Sequence, residues 1–137
     1  MVAESKERAV RHRANDRCEY RRVPAAAYVT PFQIDHVVAV QHGGASDLGN
    51  LALACYHCNL RKGPNIASVD PESGVLVALF HPRKDVWADH FKWDGPRIVG
   101  RSAVGRATVR VLAMNDPDAV AVREALLTER DDFREGS

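Results

Sequence analysis

The sequence predicts an α+β fold in which a strand, a long loop, a second strand and a short helix follow one another over residues 33–63. Helices flank this unit, and a second small β element comes after it. Three observations predict it. A short apolar run closes on Asp35-His36; a turn-rich stretch beginning at His42-Gly43-Gly44 lasts to Gly49; and the apolar LALA at 51–54 leads into a helix-competent segment, 58–62, which Gly63-Pro64 stops. Further along, 75–80 is β-rich, and 91–93 with 97–99 flank Asp94-Gly95-Pro96 as the arms of a hairpin would.

The remaining elements follow in chain order. Residues 5–14 have helix-favouring composition with a thin apolar stripe (Ala9, Val10, Ala14), which predicts an amphipathic helix packed on one face. Pro24 and Pro31 make 23–32 a loop that delivers the chain to the Asp35-His36 strand. After Pro64 a connector holds a turn at 70–74. Between 103 and 114, apolar side chains at 104, 107, 108, 111 and 112 keep a helical spacing when the Thr108 methyl is counted. Asn115-Asp116-Pro117 breaks that helix, and Asp118 is the expected cap of a last helix through Leu127. With 137 residues, the whole chain, 1–137, reads as a single domain: a core over about 17–65 and a β/α extension over about 75–128.

Composition bounds the function. A 45% apolar and 27% charged chain is ordinary for a soluble globular protein. The longest clean apolar run, 75–80, is too short to span a bilayer, and the opening MVAESKER has charges where a signal peptide needs its apolar region. The expectation is a cytoplasmic protein without a membrane partner. Net charge is only +1, but it is unevenly placed: residues 1–30 carry seven basic and four acidic groups, and residues 116–137 carry three basic and seven acidic ones. A basic face beside the central stretch would suit phosphate contacts, and a solvated helix surface explains the amino-terminal charges equally well. Three cysteines, an odd number in a chain without a secretory signal, argue against disulfides.

The central stretch carries the chemistry. Phosphodiester hydrolysis needs a nucleophile made from water, charge stabilisation at the phosphate and help for the departing oxygen. Histidine titrates at about 6.5, so a neutral imidazole at His36 can accept water's proton, a contribution typically of roughly 10²- to 10⁴-fold. Asp35 is a hard oxygen ligand suited to Mg²⁺ or Mn²⁺. Neighbours on an ideal strand point to opposite faces, so Asp35 and His36 must approach a phosphate from different sides or sit on distorted backbone. Taken one at a time, His36, Asp35, Asn50 and Asn59 have ordinary readings as structural, capping, turn and surface residues; it is their joint spacing that points to catalysis. His42 reads as a loop residue, and His81 and His90, near Trp87 and Trp93, as packing groups.

The pattern Asp35-His36, then Asn50, then Asn59 inside CYHCNLRKG resembles the HNH endonuclease family, in its Asn-terminated variant with a C-x-x-C-N-x-x-K-G ending. RCEY at 17–20 and LFHPRKDVWADHFKWDG at 79–95 resemble a bacterial subgroup of it, so the likeness covers most of the chain. The resemblance implies a ββα-metal (His-Me finger) core and metal-dependent hydrolysis of DNA, RNA not being excluded. It also implies a division of labour. His36 is the general base, Asp35 and Asn59 hold one divalent metal against the scissile phosphate and the leaving 3′ oxygen, and Asn50 steadies the loop that positions His36. With a single charged ligand, Mg²⁺ or Mn²⁺ suits the site better than a transition metal. Arg61 and Lys62, near the helix end, are candidates for phosphate contact, with His57 a weaker one.

Relatives with two C-x-x-C pairs bind a structural Zn²⁺ through four thiolates. This chain departs from them, with Arg21 where a Cys commonly stands. Cys18, Cys55 and Cys58 leave tetrahedral zinc one ligand short, guanidinium has no lone pair to offer, and His57 or His12 are the alternatives for the fourth position. The competing reading is three reduced, buried cysteines acting as small hydrophobes. Two functions therefore stand beside the nuclease: a catalytically inactive nucleic-acid-binding module, and a zinc-binding module, each on the same fold.

Overall fold

Residues 2–129 and 133–134 are described by a computed structural model of the protein. Helix α1 (Glu4–Arg13) has no side-chain cap, but Glu4 and Glu7 sit in its first turn and Arg11, His12 and Arg13 in its last, as the helix dipole favours. Its Val10 is fully buried. After a loop with one short helical turn at Ala25–Ala27, strand β1 (Gln33–His36) pairs antiparallel with β2 (Leu51–Ala54), Asp35 opposite Ala52 and His36 opposite Leu51. All four residues of β2 are buried, which makes this strand the floor on which the neighbouring elements pack. Helix α2 (Tyr56–Lys62) begins two residues earlier than the sequence pattern predicts. The Cys55 sulfur caps it by accepting the Cys58 N–H, a role that composition does not reveal.

The extension differs more from expectation. The stretch expected as a connector contains a strand, β3 (Ala67–Val69), paired antiparallel with β4 (Leu76–Ala78), and β4 is shorter than the β-rich run 75–80. Asp70 closes the turn between them, accepting from Glu72 N, Ser73 N and Ser73 Oγ, and Arg106 grips both of its carboxylate oxygens at 2.9 Å. A single-turn helix, α3 (Trp87–His90), precedes the expected hairpin of β5 (Phe91–Asp94) and β6 (Arg97–Gly100). Helix α4 (Ala103–Val111) packs against β6, β3 and β4. The cap of the last helix, α5 (Pro117–Thr128), is Asp116 and not Asp118: the Asp116 Oδ1 accepts the Ala119 N–H at 2.8 Å and Pro117 opens the first turn, where a missing N–H costs nothing.

The described residues thus form a mixed helix and strand structure with three separate two-stranded sheets. One contiguous core joins them: Cys18, Tyr20, Leu51 and Leu53 on the side of β2 meet Phe80, Trp87, Phe91, Ile98, Leu112 and Met114 from the extension. No described helix is long and apolar enough to cross a membrane. Of the acidic stretch 116–137, positions 130–132 and 135–137 lie outside the described residues.

Candidate functional site

The seam between β1 and α2 is built from two rungs. Alternation along β1 turns Gln33 and Asp35 to one side, and helical spacing turns Asn59 and Lys62 to the side of α2 that meets them. In the first rung the Asn59 side-chain N–H donates to the side-chain amide oxygen Oε1 of Gln33. In the second, Lys62 Nζ lies 3.4 Å from each carboxylate oxygen of Asp35 and 3.3 Å from the His36 carbonyl oxygen. Lys62 is only 1% exposed. Its neighbour Arg61 is exposed, so of the two cations near the helix end one faces solvent and the other faces Asp35. A basic residue three positions after Asn59 shares its helical face, and that spacing was the available signal for an inward Lys62.

Asp35 has a second partner that sequence reasoning missed, the Tyr20 hydroxyl, which donates to Oδ2 at 2.8 Å. Burial pushes the Asp35 carboxyl above its ordinary range, against the opposing pull of Lys62 and of the Tyr20 bond. Burial, followed by the Asp35 charge, raises the Tyr20 phenol well above its usual value, which keeps it a donor.

His36 turns to the other side of β1. Its Nε2 lies 2.8 Å from Ser46 Oγ, in the loop between the strands. That loop is held from within by Asn50. The Asn50 Oδ1 accepts Val38 N, and its Nδ2 donates to the carbonyls of Val38 and Ala45, each bond 2.9 Å long, so the side chain behaves like an extra rung of backbone pairing. Helix α1 holds the loop from outside: Lys6 Nζ donates to the Ser46 carbonyl and Arg13 to those of Leu48 and Leu51. The amino-terminal basic charges are spent in this way throughout. Arg8 pairs with Glu4, Arg11 bonds the Phe32 carbonyl, Arg17 the Phe133 carbonyl, Arg21 pairs with Asp116, and Arg22 lies over the Trp87 ring. Each of the seven has a partner within the chain.

Cys18, Cys55 and Cys58 lie beneath this seam with their sulfurs within 4.8 Å of one another, close enough to bind a metal together. No disulfide joins them. Burial works to raise the Cys18 thiol, but hydrogen bonds from Cys55, Cys58 and the Arg21 backbone outweigh it and hold Cys18 well below its usual value; burial dominates at Cys58 and raises it.

Such an arrangement of a strand-end Asp-His pair, a loop closed by Asn and a helical Asn behind a Cys-x-x-Cys is what a comparison of known families can test. Residues 16–65 match the family model HNH endonuclease. The matched HNH segment contains Cys18, Asp35, His36, Asn50, Cys55, Cys58, Asn59, Arg61 and Lys62, and spans 50 of the 137 residues. No curated protein and no solved structure matches the chain. HNH nuclease domains act on nucleic acids and use divalent metals, and the match suggests a nuclease or nucleic-acid-related function for the segment.

Proposed function

We infer that the protein is a metal-dependent endonuclease that hydrolyses DNA, with β1, β2 and α2 as a ββα-metal core inside a single domain spanning the chain. The observation that carries the reading is the HNH match over residues whose side chains divide between two faces of β1, Asp35 and Asn59 at the seam with α2 and His36 on the loop side. In this reading His36 is the general base. The reading requires the tautomer in which Nε2 carries the proton and donates to Ser46 Oγ, so that Nδ1 keeps the lone pair that accepts water's proton. Asn50 keeps Ser46 and His36 in register by closing the loop around them.

The donor set fits a hard cation. Asp35 supplies a carboxylate, and Asn59, whose N–H is spent on Gln33, keeps its carbonyl oxygen for a metal. A divalent ion bound by Asp35 and Asn59 supplies Lewis-acid stabilisation of charge on the phosphate and on the departing oxygen. Lys62 bonds both Asp35 oxygens in the ion-free protein, so a metal held by Asp35 would have to displace its ammonium, and the exposed Arg61 would offer a positive charge to a phosphate.

Supercoiled plasmid incubated with the purified protein tests this. Nicked circles are expected with Mg²⁺ or Mn²⁺ and none with EDTA. Ser46→Ala should slow nicking by roughly fivefold, the worth of about 1 kcal/mol for one hydrogen bond, and an unchanged rate would remove Ser46 from the mechanism. The Asp35–Lys62 ion pair favours a second reading, a binding module that no longer cuts. Folded protein that retards the plasmid in a gel yet leaves it supercoiled with every metal would establish that reading instead.

A further inference from the structure

We propose that Arg21, through Asp116, does at the Cys18, Cys55, Cys58 cluster the clamping work of a structural zinc, so that the protein folds without that metal. The inference is independent of the nuclease reading.

The two arms of the cluster are built alike. Cys58 N donates to Cys55 Sγ at 3.4 Å, three residues apart, and Arg21 N donates to Cys18 Sγ at the same distance and spacing. Arg22 N then bonds the Cys18 carbonyl, and Arg22 takes a left-handed φ of 64°, which turns the chain back as a tight knuckle. Residue 21 therefore stands to Cys18 as Cys58 stands to Cys55, at the fourth corner of the cluster, and the side chain it brings there is a cation.

Zinc fits this corner poorly. Guanidinium has no lone pair, and a fixed positive charge opposes a second cation beside it. Among the described residues no histidine joins the cluster, which excludes His57 and His12 from it in this structure. Water is a poor substitute because Cys18, Cys55 and Cys58 are at most 1% exposed.

Arg21 meanwhile makes the connections that a metal would have made. The side chain is fully buried, and its Nη2 donates to Asp116 Oδ2 at 2.7 Å, to the Ala113 carbonyl at 2.8 Å and to the Leu112 carbonyl at 3.2 Å. Leu112 and Ala113 follow the end of α4, where carbonyls lack helical partners, and Asp116 is the cap of α5. One guanidinium thereby ties the cysteine knuckle to the joint between the last two helices. Among the described residues its Nε and Nη1 have no hydrogen-bond partner; burial works against its charge, and the Asp116 carboxylate bonded to Nη2 is the anion that offsets it.

Metal analysis of the purified protein, with thermal melts in the presence and absence of a strong zinc chelator, is the first test. Zinc far below one per chain and an unchanged melting temperature are expected. Stoichiometric zinc, with a melting temperature that drops on chelation, would overturn the proposal. Arg21→Met and Asp116→Asn should each lower the melting temperature, by roughly 10 °C for the former, and the double variant should be little worse than Arg21→Met alone. Additive losses would show that the pair is not the clamp. Arg21→Cys should take up about one zinc and become sensitive to chelation; a folded Arg21→Cys protein that binds none would remove residue 21 from the fourth corner.

Discussion

Replacing His36 with Ala should reduce plasmid nicking by roughly 10²- to 10⁴-fold, the usual worth of a positioned general base, while the protein stays folded. The two effects are separable because of where the ring sits. His36 is half-buried at the end of β1, and its one side-chain hydrogen bond goes to Ser46. Losing that bond costs about 1 kcal/mol, a few degrees of melting temperature. A stable variant that cannot cut is therefore the expected result, and His42→Ala, altering an exposed loop residue, is the matched control. Nicking within threefold of wild type in His36→Ala would show that water loses its proton to some other group.

A loss of stability as large as that expected of Arg21→Met should come from a single methyl group. A Cβ at Gly44 would stand 1.7 Å from the Val38 carbonyl oxygen and 2.8 Å from Asn50 Nδ2. Neither neighbour can give way cheaply, because the oxygen belongs to backbone and the amide is held by three loop bonds. Gly44→Ala must therefore open the loop between β1 and β2. The expected cost is on the order of 3 kcal/mol, as for overpacking a tight site, or roughly 10 °C of melting temperature. Nicking should fall as well, since Ser46 rides on the same loop. Gly43 makes a sharp comparison: it has a φ of 88° but nothing within 4 Å of an added Cβ. Gly43→Asn should consequently be mild, because Asn tolerates the left-handed region. Melting temperatures in the opposite order would mean that backbone conformation, and not space, governs this loop.

What the sequence made legible, and what it hid, divides by the range of the interaction. Strands β1 and β2, helix α1 and the hairpin β5–β6 rest on local signals: short apolar runs, a helical stripe, and Asp94-Gly95-Pro96. Strand β3 has three residues and α3 a single turn, too few for any period to register. The cap of α5 was misplaced by two residues because Asp116 and Asp118 both fit the rule, and only the Asp116 bond to Ala119 N distinguishes them. In the candidate site, the residues were nameable but their partners were not. Tyr20 reaches Asp35 across 15 positions, Ser46 reaches His36 across 10, and Arg21 reaches Asp116 across 95, pairings that nothing in local spacing encodes.

The internal use of the amino-terminal arginines also bears on how a polyanion would be held. Each phosphate neutralised by a protein cation releases condensed counterions, so affinity normally falls steeply with salt in proportion to the number of such contacts. Here Arg11, Arg13, Arg17 and Lys6 already bond carbonyl oxygens, and Arg21 is sealed against Asp116. A carbonyl partner leaves the charge in place but fixes the side chain, so these groups are costly to redirect to phosphate. The exposed Arg61, Lys84, Lys92, Arg97 and Arg110 are the freer cations, and the salt dependence of binding should report how many of those five a nucleic acid engages.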